Sequence, residues 1–245
     1  MRISYLILTA ALSTGVAQSQ TGRWMIDTLP GVDEVQLTLH RADSTNSHSV
    51  ALSGFRGLTR AQMDSSTGQT LRFEIVHEAG TLNCEGYFKS GNGAGAFTFA
   101  ANPSFVAEMH SLGHNGLTPD QIFSMAVFDI GPKYVRELKD LGYQPTADEL
   151  FALKIHGVTV EFIRDLKALG YHPTIDQLVS LRIHGATTEF VKQIKDLGYG
   201  PTIDELVSMR IHGVTPDYIH DLRSHGMKNL SIDQLVSLKI HGISD

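Results

Sequence analysis

A 28-residue repeat in the second half of the chain constrains its fold more than any other feature. Two tripeptides, Leu-Gly-Tyr and Ile-His-Gly, recur with that period. Leu-Gly-Tyr begins at Leu141, Leu169 and Leu197, and Ile-His-Gly begins at Ile155, Ile183 and Ile211. A further Ile-His-Gly begins at Ile240, 29 residues on, because the connection Met227–Leu230 holds one extra residue. A fixed period of this length is typical of architectures that stack one structural unit on the next.

Each period predicts two short helices, and the first of them ends in Ile-His-Gly. In the segment Thr202–Gly213, Thr202 is an N-cap and Glu205 stands three residues later, which is the pattern of a capping box. The same pattern recurs as Thr146 with Glu149, Thr174 with Gln177 and Ser231 with Gln234. Asp204 in the first turn and Arg210 in the last turn carry charges that suit the helix dipole.

The second helix of each period begins at a threonine and ends at a glycine. Its three copies are Thr159–Gly170, Thr187–Gly198 and Thr215–Gly226. Phe162, Leu166 and Leu169 fall on one face of the first copy. Helices of about ten residues are unstable alone in water, so these faces are expected to pack on neighbouring helices. Ser104–Gly113 and Thr118–Lys133 resemble degenerate earlier units, which gives about ten helices, in an α-solenoid or a compact right-angled stack.

The helices are predicted to end at glycines in the left-handed conformation, just after the C-cap. These glycines are Gly142, Gly157, Gly170, Gly185, Gly198, Gly213, Gly226 and Gly242. Four histidines directly precede the glycine of the first helix type: His156, His184, His212 and His241. Stacked helices lie about 8–10 Å apart, whereas zinc ligands lie within about 2.3 Å of one ion. We therefore predict that these histidines bond to carbonyl groups at the helix ends or face solvent, and we predict no metal or cofactor site.

Residues 23 to 100 carry the alternating pattern of β-strands. Val35, Leu37 and Leu39 alternate with polar residues, and Arg41–Ser49 is polar and turn-rich. The run Gly91–Gly95 is followed by a strand pattern rather than a helix, which favours a hairpin with a bulge over a nucleotide-binding loop. We predict an α+β fold, with an antiparallel β domain of five or six strands at residues 23–103 and an α-helical repeat domain at residues 104–245.

The first 17 residues have the pattern of an export signal. Arg2 precedes an apolar run without charge, Ile3–Val16, and small residues permit cleavage after Ala17. The sequence thus predicts an exported protein, periplasmic or extracellular; an uncleaved anchor is the alternative. No later segment is apolar enough to span a membrane.

Charge and motif content argue against several functions. The formal net charge of −6 argues against a broad basic surface for nucleic acid. Leu206–Pro216 resembles a helix-hairpin-helix DNA module, but Thr215 replaces its second glycine. The single cysteine, Cys84, excludes an internal disulfide and a CxxC zinc site. The sequence shows no nucleophile elbow, so we predict no catalytic residue and no enzyme.

Several short motifs resemble a bacterial family. They are Phe73–Ile75, Ala79–Thr81, Glu85-Gly86, Gly93–Phe99 and Asn102–Phe105, followed by the two repeated tripeptides. Together they are similar to uncharacterised exported proteins, to the extracytoplasmic C-terminal region of membrane metallopeptidases like the penicillin-sensing receptor, and to some anti-sigma-factor-like proteins. The peptidase motif HExxH and its membrane helices are missing here, so the resemblance implies a detached sensor or interaction region and transfers no catalytic residue.

Two classes of function follow. The first is an exported, non-enzymatic interaction or sensor module that binds a protein partner through the helical repeats, in envelope signalling. The second is a small-ligand carrier or envelope enzyme on the β domain, suggested by the glycine-rich hairpin beside His77, Glu85 and Tyr87. A carrier needs an open interior. This hypothesis therefore fails if the interior of the sheet is filled by its apolar side chains, which are Leu71, Phe73, Ile75, Phe97 and Phe99.

Overall fold

The computed structural model describes residues 20–42 and 44–242. These residues form two compact units, one that ends at Asn102 and one that begins at Pro103. The first unit is an antiparallel sheet and the second is a series of helices, which confirms the predicted α+β class with a helical repeat. The sequence places the boundary one residue later, after residue 103. The predicted signal peptide, residues 1–17, lies outside the described residues.

Seven antiparallel strands form the sheet within the described part of the first unit. They are β1 (Gln20–Thr28), β2 (Glu34–Arg41), β3 (Ser44–Ala51), β4 (Phe55–Arg56), β5 (Gln69–His77), β6 (Gly80–Lys89) and β7 (Asn92–Ala101). Their order across the sheet is β3-β2-β1-β7-β6-β5-β4, so β3 and β4 are the edge strands. A short helix, α1 (Arg60–Asp64), lies between β4 and β5 and begins at the N-cap Thr59.

The number of strands is larger than the five or six predicted. The interpretation of Arg41–Ser49 as a turn-rich segment is wrong, because most of it belongs to β3. β3 pairs with β2 alone, from Glu34↔Ala51 to Arg41↔Ser44. Backbone pairing at a sheet edge holds such a strand without the apolar alternation of a buried one, so its polar sequence concealed it.

The glycine-rich run forms a hairpin, as predicted, but without the predicted bulge. Ser90 and Gly91 both have positive φ, 50° and 85°, as the two-residue turn between twisted antiparallel strands requires. Pairing of β6 with β7 continues residue by residue from Lys89↔Asn92 to Gly80↔Ala101. Because a strand and not a helix follows these glycines, the loop is not a dinucleotide-binding fingerprint.

Aromatic side chains fill the inner face of the sheet. The ring centroid of Trp24 lies 5.1 Å from that of Phe73 and 5.1 Å from that of Phe88. The indole Nε1 of Trp24 donates a hydrogen bond to the carbonyl oxygen of Ala96 at 3.0 Å. Gly86 leaves space for this cluster, because a Cβ atom there would lie 2.4 Å from the Trp24 ring.

Ten helices of nine residues each make up the described part of the second unit. They are α2 (Pro103–Ser111), α3 (Pro119–Val127), α4 (Pro132–Asp140), α5 (Ala147–Ile155), α6 (Val160–Ala168), α7 (Ile175–Ile183), α8 (Thr188–Asp196), α9 (Ile203–Ile211), α10 (Pro216–Ser224) and α11 (Ile232–Ile240). Across the described residues, no helix has both the length and the apolar character needed to span a bilayer.

Each helix from α2 to α9 packs on the helix two positions further along the chain. We call α3, α5, α7, α9 and α11 row A, and α2, α4, α6, α8 and α10 row B. Two rows of stacked helices are the arrangement of a solenoid, the first of the two architectures left open by the spacing.

The segment Thr118–Lys133, which the sequence marks as a degenerate earlier unit, includes parts of two helices. It contains α3 and the first residues of α4, separated at Asp129. Asp129 has φ +51° and stands 28 residues before Gly157, so an aspartate takes the left-handed position that glycine holds in the later units. Aspartate is one of the few other residues that adopt this conformation.

Candidate functional site

Capping interactions fix the ends of every row A helix. In α9, the N-cap Thr202 accepts a hydrogen bond from the backbone N–H of Glu205, and the Glu205 carboxylate accepts one from the Thr202 N–H at 2.7 Å. The three other predicted capping boxes are present, and a further one joins Thr118 to Gln121. Capping depends on residues three apart in sequence, which explains why the sequence alone located it.

The eight predicted glycines follow the C-caps and have φ between 68° and 91°. At the end of α9, Gly213 N–H donates to the Arg210 carbonyl and Val214 N–H donates to the Met209 carbonyl at 2.8 Å. This pair of bonds is a Schellman motif, which satisfies carbonyl groups that would otherwise be free at a helix end.

The four repeated histidines are the C-cap residues of row A and are exposed. The ring Nδ1 of His241 lies 2.7 Å from the Ser237 carbonyl oxygen, which is the predicted contact. His156, His184 and His212 make no side-chain hydrogen bond within residues 20–42 and 44–242. Those described residues also hold no group of three or more His, Cys, Asp or Glu side chains placed to bind a metal ion.

Basic side chains join consecutive row B helices at their C-terminal ends. Lys167 donates from Nζ to the Leu141 carbonyl oxygen, 2.5 Å away, and lies 5.3 Å from the centroid of the Tyr143 ring. The same pair of contacts links Lys195 to Leu169 and Tyr171, and Arg223 to Leu197 and Tyr199. Each cation is stabilised both by the face of the aromatic ring and by the negative end of the helix dipole.

In row A, the basic residue of the last turn rests on an aromatic ring of row B. The guanidinium carbon of Arg182 lies 5.3 Å from the Phe162 ring centroid, and that of Arg210 lies 5.0 Å from the Phe190 centroid. Arg182 also donates from Nε to the His156 carbonyl oxygen at 3.4 Å. That contact shows that the C-terminal ends of α5 and α7 lie side by side.

An isoleucine is exposed at the C-terminal end of four consecutive row A helices. The exposed fractions are 56% for Ile155, 55% for Ile183, 53% for Ile211 and 57% for Ile240. In α5, Ile155 follows the buried Leu153 by two residues and so points about 200° away from it around the helix axis. The equivalent residue of α3, Val127, is only 8% exposed, so the exposed series begins at α5.

An exposed aspartate precedes each of these isoleucines by seven residues: Asp148, Asp176, Asp204 and Asp233. Seven residues make about two turns, so aspartate and isoleucine lie on one side of the helix, about 10 Å apart along its axis. We call these four isoleucines and four aspartates the isoleucine face. The face therefore has an acidic line at one edge and an apolar line near the other.

The outer surface of row B is different, because charged pairs lie on three of its helices, α2, α4 and α6. Arg136 pairs with Glu108, and Arg164 pairs with Glu137 at 3.4 Å and with Glu161 at 3.6 Å. A surface of opposite charges is typical of a solvated face. Large exposed apolar residues in a regular series, by contrast, are typical of a contact surface.

Sequence reasoning missed the isoleucine face, although its signal is in the repeat. The buried stripe of α5 consists of Leu150 and Leu153, and Ile155 falls on the opposite side of the helix. An apolar residue off the buried stripe in four successive repeats is the pattern that reveals such a face.

The β unit does not assemble the three side chains that suggested a carrier or an enzyme. Glu85 lies on the outer face and pairs with Arg72 at 3.1 Å, and Tyr87 is exposed on the same strand. His77 lies opposite Gly80, at the other end of the β5–β6 pair.

Apolar side chains occupy the inner face of the sheet. Phe73, Ile75, Phe97 and Phe99 are at most 4% exposed, and Leu71 is half-buried. Cys84 lies among them, and burial raises the pKa of its thiol to about 12, so it is not a reactive thiolate. An open concavity of about 930 Å³ lies on the outer face, between Arg23, Arg56 and Arg72.

The fold and this surface define a class of protein: a curled antiparallel sheet followed by a solenoid-like helical repeat that presents a regular apolar face. In comparisons with known proteins, no family model matches the chain, and no significant match was found among curated proteins or among solved structures.

Proposed function

We propose that the protein is an exported, non-enzymatic interaction or sensor module that binds a protein partner through the isoleucine face. The observation that carries this proposal is the exposure of the same isoleucine in four consecutive repeats. Stacked repeats build extended surfaces of this kind, on which each unit contributes one contact.

These isoleucines have no evident role in stabilising the solenoid. The buried stripe already provides the packing, with Leu150, Leu153, Leu178 and Leu181 all at 0% exposure. An exposed isoleucine gains little from folding, because most of its apolar surface stays in water. A partner that covers the face removes that surface from water and thereby gains affinity.

We propose that the protein takes part in signalling in the bacterial envelope. The support is the export pattern at residues 1–17 and the resemblance to extracytoplasmic regions of signalling proteins. Neither alternative function has comparable support. The filled interior of the sheet argues against a carrier. In the helix-hairpin-helix-like run, the Thr215 hydroxyl already accepts the Tyr218 N–H, so that amide is not free for a phosphate.

The proposal is tested by capture from an envelope extract of the source bacterium, with the mature protein as bait. The test variant carries Ile155→Ser, Ile183→Ser, Ile211→Ser and Ile240→Ser. A matched control carries four substitutions of exposed row B residues, two basic and two acidic: Lys133→Ser, Lys192→Ser, Asp165→Ser and Asp196→Ser.

We expect one protein that the wild type and the control capture equally and that the isoleucine variant loses. Circular dichroism establishes that all three baits are equally helical. Capture of the same proteins by all three, or of none by the wild type, contradicts the proposal.

A further inference from the structure

The spacing of the four isoleucines and the charges beside them indicate what kind of partner fits the isoleucine face. We infer that the partner lays an extended segment along the stack, with polyproline II geometry, an apolar side chain at every third residue, a basic flank and an acidic flank. This inference rests on the proposed function and names the chemistry of the partner at that same face.

The spacing of the isoleucines selects the conformation of the segment. Ile155 and Ile183 lie on helices whose C-terminal ends are adjacent, since Arg182 reaches the His156 carbonyl. Packed helices lie about 8–10 Å apart, which sets the step from one isoleucine to the next. A polyproline II chain advances about 9.3 Å in three residues, inside that range. Same-side residues of a β-strand repeat at about 6.7 Å, and a helix needs seven residues to advance about 10.5 Å.

The charges beside the isoleucine line select the two flanks of the segment. On one side runs the acidic line, from Asp148 to Asp233, and on the other side each helix ends in an exposed histidine. The basic side chains of α7, α9 and α11 also reach that side, at the glycine that follows the preceding row A helix: Arg182 at Gly157, Arg210 at Gly185 and Lys239 at Gly213. A basic flank therefore complements the aspartates, and an acidic flank complements the basic side chains.

A segment in polyproline II geometry can present apolar, basic and acidic side chains on three different sides. With three residues per turn, successive side chains point in three directions, so one triplet offers an apolar, a basic and an acidic group. The protein side is partly ordered in advance, because Arg182 and Arg210 already rest on the rings of Phe162 and Phe190. Groups held in place lose less conformational entropy on binding. Four exposed isoleucines correspond to four triplets.

The test measures binding of fluorescein-labelled peptides to the mature protein by fluorescence anisotropy. The probe is four repeats of Pro-Lys-Glu, since proline is apolar and fixes the extended conformation. A second peptide has the same composition with unevenly spaced prolines. Two further peptides, four repeats of Pro-Lys-Lys and of Pro-Glu-Glu, each carry one sign of charge.

We expect the Pro-Lys-Glu peptide to bind at least tenfold more tightly than the other three. The isoleucine-to-serine variant should lose binding, and the row B control should keep it. A variant with Asp148→Asn, Asp176→Asn, Asp204→Asn and Asp233→Asn should bind the Pro-Lys-Glu peptide at least fivefold more weakly. Its binding of the Pro-Glu-Glu peptide should not weaken.

Equal binding of the regular and the permuted peptide, or binding of none of the four, overturns the inference. Sedimentation velocity provides a further test, since self-association that the serine substitutions abolish would make the occupant a second copy of this chain, which also overturns it. If envelope capture depends on the isoleucines while no peptide binds, the inference fails and the proposed function stands. If capture does not depend on them, the proposed function itself fails.

Discussion

The hydroxyl group of Tyr143 donates a hydrogen bond to the carbonyl oxygen of Pro173, 2.8 Å away and 30 residues further along the chain. Tyr171 makes the same bond to Pro201 at 2.9 Å. Each bond links the connection that follows one row B helix to the connection that follows the next. Burial raises the pKa of both tyrosines, so their hydroxyls stay protonated as donors to a higher pH than an exposed tyrosine does. The repeated tyrosine therefore sets the register between units.

Removing one of these hydroxyls should destabilise the solenoid. We expect Tyr171→Phe to lower the free energy of unfolding by about 1 kcal/mol, because the Pro201 carbonyl loses its donor. Tyr199→Phe is the matched control, since no hydrogen bond from the Tyr199 hydroxyl is found among the described residues. Urea denaturation of both variants measures the difference. Equal losses would show that the bond does not contribute.

The left-handed glycines give a second prediction. Gly185 has φ +70°, a conformation that a β-branched residue adopts only under strain. Gly185→Val should therefore cost about 1 kcal/mol or more, as seen in a lower Tm. Gly200→Ala is the control, because Gly200 is not among the residues with positive φ and a Cβ atom there meets nothing within 4 Å. An unchanged Tm for Gly185→Val would contradict the left-handed assignment.

Local patterns allowed much of this fold to be predicted from the sequence. Caps such as Thr202 with Glu205 depend on residues three apart, and the period of the repeat shows which helices are equivalent. β3 could not be predicted, because its strand conformation comes from pairing with β2 rather than from its own polar residues. Asp129 was missed for a related reason, since its left-handed conformation is evident only by its equivalence to Gly157.

The isoleucine face was concealed because an exposed and a buried isoleucine look alike in a sequence. The contrast between Leu181 and Ile183, two residues apart, makes the distinction testable. Leu181 is 0% exposed and Ile183 is 55% exposed. We expect Leu181→Ala to cost about 2–5 kcal/mol, and Ile183→Ser to change stability by less than about 0.5 kcal/mol. Urea denaturation of the two variants measures both values. A large loss in Ile183→Ser would place that side chain in the core and remove the basis of the proposed function.

Alkaline pH should weaken the helical unit through its buried tyrosines. Burial raises the pKa of Tyr134 to about 12 from the ordinary value of 10.0, and its hydroxyl donates to the Val158 carbonyl at 2.8 Å. Because the pKa is higher in the folded state, there is a pH range in which the Tyr134 hydroxyl keeps its proton in the folded protein but has lost it in the unfolded chain. The contribution of Tyr134 is therefore complete below pH 10 and is lost as the pH rises through about 12.

Urea denaturation between pH 8 and pH 12 should show this loss directly, with stability falling above pH 10. In Tyr134→Phe, stability should be lower at pH 8, because the hydrogen bond to Val158 is gone. The variant should then lose less stability than the wild type above pH 10, since one buried group that ionises there is missing. Part of the slope should remain, because burial also raises the pKa of Tyr143, Tyr171 and Tyr218. Identical slopes in wild type and variant would show that Tyr134 ionises equally readily in both states.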